Sequence, residues 1–150
     1  MTDKKSPVST IGLIVGGVVV LICLVAVAPT AKQRNQRAFA DCSSLITDLL
    51  ALLKQVNASD LRRSDQGIEK QSDLCCRFDG IVGQGVEQVD WKIFYDLVNE
   101  ITDTIDAVLP LPLPQASPDN RRQVLMWRGE FEQLTKRWGI IRNFTRPVVR

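Results

Sequence analysis

The segment Phe39 to Val56, FADCSSLITDLLALLKQV, sets the fold class. Its apolar positions Phe39, Cys42, Ile46, Leu49, Leu53 and Val56 recur with spacing 3-4-3-4-3, and Leu45, Leu50 and Leu52 widen the stripe. That is the period of a helix with one face turned to a core. A strand would alternate apolar and polar at every second residue, and no convincing run of that kind occurs in the chain.

Three further helices are expected downstream. Asn57-Ala-Ser-Asp60 interrupts the first, and Ser59 or Asp60 can cap a second over about 60–79, striped by Leu61, Ile68, Ser72, Cys75 and Phe78. Gly67 is a soft spot within it, and the glycine-rich Asp79–Gly85 is expected to turn the chain. With no lysine or strand beside it, that loop lacks the context of a phosphate cradle. A third helix over about 86–109 carries Val86, Val89, Ile93, Phe94, Leu97, Ile101, Ile105 and Val108. It must stop at Pro110-Leu-Pro-Leu-Pro114, because proline lacks the amide proton and clashes with the preceding turn. The fourth opens with Ser117 as cap and Pro118 in the first turn, and its stripe is Val124, Trp127, Phe131, Leu134, Trp138 and Ile141. Four helices, each with one stripe, predict an all-α up-down bundle over residues 31–141.

Upstream lies Ile11–Ala28, IGLIVGGVVVLICLVAVA, eighteen residues without a charge, between Lys4 and Lys5 on one side and Pro29, Lys32, Arg34 and Arg37 on the other. At ~1.5 Å per residue such a helix matches the ~30 Å of a hydrocarbon core. A cleaved signal peptide is the competing reading, since Ala26-Val27-Ala28 has small residues at the right spacing. The apolar run is longer than such peptides use, and Pro29 would hinder the cut, so an uncleaved transmembrane helix is expected. Residues 1–10 are then a short cytoplasmic N-terminus. Gly12, Gly16 and Gly17 allow a second helix to approach closely in lipid.

The net charge of +2 hides a pattern. Residues 1–39 hold five bases and one acid, residues 40–110 six bases and thirteen acids, and residues 111–150 eight bases and three acids. Nothing in that basic-acidic-basic order favours a nucleic acid as partner. With no histidine, the usual zinc sites and histidine triads are excluded, and three cysteines beyond the span do not make a metal site. The carboxylate pairs Asp103/Asp106 and Asp96/Glu100 fall on the polar face of their helix. No catalytic, cofactor-binding or metal-binding residue is nominated, and an enzyme is not expected.

Cysteines suggest a compartment. A hairpin pivoting between Ala58 and Ser59 pairs residues whose numbers sum to 117, which sets Cys42 opposite Cys75. A disulfide is then geometrically reasonable, with Cys76 as alternative partner or as an attachment point for another chain. Two buried thiols acting as small apolar groups are the plain alternative. A bridge implies an oxidising compartment, and hence a bundle outside the cytoplasm of a single-pass protein in the inner or plasma membrane. Asn57-Ala-Ser and Asn143-Phe-Thr match the glycosylation triplet, a pattern that often arises by chance.

Two surfaces are candidates for binding. The basic tail 142–150, with the preceding turn, supplies Trp138, Ile140, Ile141, Arg142, Phe144, Arg146 and Arg150, a mixture suited to lipid headgroups or an acidic surface. The loop at the end far from the membrane offers Leu109, Leu111 and Leu113 on a stiff proline-rich segment suited to a partner's groove. The expected function is that of a non-catalytic accessory or assembly subunit of a larger membrane or envelope complex, with oligomers possible through the span or Cys76. The layout is similar to that of phage inner-membrane spanins, although no motif links the two and the proline run interrupts a long coiled coil. A ligand-binding sensor bundle, or a secreted bundle if residues 1–28 are removed, are the other readings.

Overall fold

The computed structural model describes residues 29–144, which form four helices. These are α1 (Ala31–Asn57), α2 (Gln66–Gln84), α3 (Trp91–Val108) and α4 (Pro118–Phe144). From Arg34 onward the described helices belong to one compact unit. The expected span at 11–28, with Gly12, Gly16 and Gly17, lies outside the described residues. Among the described residues no helix is long and apolar enough to cross a membrane.

Three of the four helices start on a side-chain cap, and α2, preceded by Asp65, does not. At α1, Thr30 and Gln33 cap reciprocally: the Gln33 amide donates to Thr30 Oγ1 at 3.2 Å, and the Thr30 amide donates to Gln33 Oε1 at 3.0 Å. At α3, the Asp90 carboxylate accepts from the Lys92 and Ile93 amides at 2.9 and 3.4 Å. At α4, Ser117 Oγ accepts from the Asn120 amide at 3.2 Å, as expected of a Ser-Pro opening.

Cross-links give the order of packing. Asn57 Nδ2 donates to Gln71 Oε1 at 2.7 Å, so α1 and α2 run antiparallel. Arg77 reaches Glu100 at 2.6 Å between α2 and α3, and Tyr95 meets Trp138 edge-on at 5.2 Å between α3 and α4. Arg137 of α4 reaches Asp48 and Ser44 of α1 at 2.7 and 3.0 Å, while the Phe39 and Phe94 rings lie 5.6 Å apart. Together these define an up-down-up-down bundle with α1 parallel to α3 and α2 parallel to α4.

The core is the four apolar faces. From α1 come Cys42, Leu45, Ile46, Leu49, Leu52, Leu53 and Val56, and from α3 Phe94, Leu97, Val98, Ile101, Ile105 and Val108, all fully buried. Helix α4 contributes Val124, Trp127, Leu134, Trp138 and Ile141, with Phe131 half-buried, so its predicted stripe stands. Each fully buried large aliphatic residue stabilises by roughly 1.5–3 kcal/mol before the cost of ordering it.

Helix α2 departs from expectation in extent and phase. It begins at Gln66 rather than about 60, and it continues through Gly80 and Gly83 to Gln84. Among the described residues only Gly85 has positive φ, +75°, so the glycine-rich turn is confined to the segment after Gln84. The buried positions are Gly67, Leu74 and Ile81, whereas the expected Ile68 is 46% exposed. Likewise α3 begins at Trp91 rather than 86, and its Ile93 is exposed.

Candidate partner-binding end of the bundle

The connections 58–65 and 109–117 meet at one end of the bundle. Arg63 of the first holds the C-terminus of α3: its amide donates to Val108 O at 2.9 Å, its Nε to Ala107 O at 3.0 Å and its guanidinium NH2 to Asp106 O at 2.7 Å. Those carbonyls have no partner within the helix and carry its negative dipole end, so a guanidinium fits there. Arg62 is also engaged, at 2.8 Å from Asp65 and bonded to the carbonyls of Asn57 and Ser59.

The proline-rich connection is held from the other side. Arg128 Nε donates to Pro110 O at 2.8 Å, and Arg121 donates to the carbonyls of Pro114 and Ala116. Leu111 and Leu113 stand 54% and 53% exposed on this pinned backbone. Leu109 does not join them. It is fully buried as the residue that closes α3, its amide donating to Ile105 O at 2.9 Å. The chain leaves the core only after Pro110.

The cysteine pairing is corrected. Cys42, Cys75 and Cys76 are free thiols, buried, half-buried and exposed respectively. The reason is register. The Asn57–Gln71 bond pairs numbers that sum to 128, not 117, because the connection runs from 58 to 65. Cys75 accordingly lies within reach of the Lys54 charge. Lys54 is twelve residues beyond Cys42, about 18 Å along α1. Burial, aided by Asp41, pushes the Cys42 thiol up to about 12, so it stays protonated and unreactive. Burial and the Asp79 carboxylate also raise Cys75. The argument for an oxidising compartment falls with the bridge.

The basic aromatic surface is also revised. Residues 138–144 are the last turns of α4 and not a tail. Trp138 and Ile141 face the core, and the Trp138 indole donates to Asn99 Oδ1 at 3.1 Å. Ile140 and Arg142 are exposed. Arg146, Arg150 and the Phe144 side chain lie outside the described residues. Asn57 is 9% exposed and bonded to Gln71, which is incompatible with a glycan there in the folded state. Of the carboxylate pairs, Asp96 is 2.7 Å from Lys92, and Glu100 is the partner of Arg77.

One feature of this end had no clear signal in the sequence. An open groove of about 700 Å³ runs between Ala58–Leu61 and the first turns of α4, lined also by Asp119, Asn120, Gln123 and Trp127. Its walls come from segments about 60 residues apart, so no local pattern announces it. No protein-family model matches the chain, and neither curated proteins nor solved structures give a match.

Proposed function

We propose that this chain is a non-catalytic, membrane-anchored interaction protein, an accessory or assembly subunit that recruits a partner of a larger membrane or envelope complex through the end of its bundle. The uncharged run Ile11–Ala28 supports the anchor, since its length suits a hydrocarbon core. The observation that carries the binding role is the pair Leu111 and Leu113. Both are more than half exposed on a backbone held by Arg121 and Arg128, with prolines restricting the loop further. A rigid apolar loop loses little conformational freedom on binding, and this favours its use as a docking element. Exposed leucines at such a tip cost solubility and give the fold nothing in return.

The test is purification of the full chain from its native membranes in mild detergent, with and without Leu111→Ser and Leu113→Ser together. The expected result is a stoichiometric complex that the double variant fails to retain, with helicity and thermal midpoint unchanged. Retention of the same complex by the double variant would sink the proposal.

A further inference from the structure

We propose that the outer face of α2, along Ile68, Cys75 and Val82, pairs with the same face of a second copy of this chain, the two helices lying side by side and pointing the same way. This pairing is separate from the docking of a partner at the loop end of the bundle.

The face is apolar in one line. Ile68 and Val82 are 46% and 42% exposed, and Cys75 between them is half-buried. The three recur at intervals of seven, each one residue beyond the core positions Gly67, Leu74 and Ile81. Single exposed apolar residues are ordinary on a protein surface, but a row at this interval is the seam along which two helices pair. Phe78 lies seven residues after the Gln71 that bonds to α1, and with Leu50, level with it on α1, it widens the face; both are partly buried.

Charge selects the occupant. Lys54 and Asp79 are both exposed, and neither is in an ion pair among the described residues. Lys54 stands on α1, level with residue 74 by the register of the Asn57–Gln71 bond, while Asp79 follows Cys75 by one helical turn on the side away from α1. Both act on the thiol between them: burial raises Cys75 most, Asp79 raises it further and Lys54 lowers it. The row thus has a cation along one edge and an anion along the other. A two-fold axis parallel to the helices lays each edge on the opposite edge of the copy, so each Lys54 meets the second copy's Asp79 and two equivalent ion pairs form. An antiparallel pair would set lysine against lysine and aspartate against aspartate. Asp79 lies five residues beyond the level of Lys54, about 7.5 Å along the helix, a gap that a lysine side chain largely spans. In the parallel arrangement Ile68, Cys75 and Val82 meet their own counterparts. Both chains also point the same way, as two chains anchored through Ile11–Ala28 in one membrane must. Confinement to a membrane raises the effective concentration, which favours association through a seam this short.

The experiment is cross-linking of the full chain reconstituted in phosphatidylcholine vesicles, with Cys23→Ser and Cys76→Ser so that Cys75 is the reactive thiol; Cys42 is buried and unreactive. The probe is a bifunctional maleimide with a short spacer, and each yield is divided by the extent of labelling with N-ethylmaleimide. The expected result is a covalent dimer through Cys75. A chain with Cys23→Ser and Cys75→Ser keeps the exposed Cys76, about 100° farther round the helix, and should give about fivefold less dimer. Lys54→Asp and Asp79→Lys should each lower the yield about fivefold by setting like charges together, and the two combined should restore it. Absence of a Cys75 dimer, equal cross-linking through Cys76, or a combined variant that stays low would overturn the proposal. The docking role of Leu111 and Leu113 is judged by the membrane purification, so either reading can fail without the other.

Discussion

Helices α4 and α2 pack against the same core by different means. Helix α4 is 27 residues long and inserts Val124, Trp127, Leu134, Trp138 and Ile141, with Phe131 at the margin. Helix α2 has 19 residues and buries only Gly67, Leu74 and Ile81, at intervals of seven. The first is held by a broad stripe of large side chains. The second is held by one leucine, one isoleucine and a close approach of backbone, with Phe78 partly buried beside them and the Arg77–Glu100 bridge at its edge. Redundancy is the difference: losing one contact of α4 leaves others, while losing one of α2 leaves little.

The largest expected effect follows from that. Leu74→Ala should cost roughly 3–4 kcal/mol, in the middle of the range for a fully buried leucine. Leu134→Ala, at 8% exposure and flanked by Phe131 and Trp138 on its stripe, should cost roughly 2 kcal/mol. Urea unfolding of both variants decides the matter. Equal losses would mean that α2 is no more dependent on its single leucine than α4 is on any of its residues.

The same contrast explains what could be read from the sequence. The stripes of α1 and α4 were legible because many large apolar residues repeat there, and a single misread position does not change the phase. In α2 the apolar residues are few, and Ile68, Cys75 and Phe78 suggested a face rotated by one residue from the true one. Gly67 carries no hydrophobic signal although it is buried where Asn57, Leu53 and Val108 leave no room for a Cβ. The proline stop after α3 and the Ser-Pro opening of α4 are local chemistry and were legible, but Leu109 at that stop was misjudged as exposed. The groove was not legible, since it depends on how residues 58–61 settle against 119–127. The cysteine register failed for a related reason. Eight residues connect α1 to α2, and without their conformation the pivot of the hairpin is undetermined.

Gly67 gives the next sharpening. A Cβ built on it would lie 2.5 Å from Asn57 Oδ1, 2.8 Å from Val108 Cγ1 and 3.2 Å from Leu53 Cδ1. Three neighbours on two other helices cannot all withdraw, because Asn57 is tied to Gln71 and the other two are fully buried. Gly67→Ala should therefore destabilise by about 1–2 kcal/mol, after allowance for the better helix propensity of alanine. A neutral or stabilising Gly67→Ala, seen as an unchanged or higher urea midpoint, would show that α2 stands farther from α1 and α3 than the close approach requires.

The smallest effect has the opposite sign, and it tests where α2 ends. Gly80 lies inside the helix, is exposed, and has nothing within 4 Å of the position a Cβ would take. Its backbone does not need glycine, since its φ is negative, unlike that of Gly85. In a helix interior, alanine for glycine gains roughly 0.5–1 kcal/mol by reducing the freedom of the unfolded chain. Gly80→Ala should thus raise the urea midpoint while Gly67→Ala lowers it, the same substitution thirteen residues apart in one helix. If residues 79–85 were instead a turn that relies on its glycines, Gly80→Ala would lose stability and helical signal together. The sign of that one small change separates a helix that runs to Gln84 from one that stops at Asp79, and with it the length of α2 available to meet Glu100 and the core.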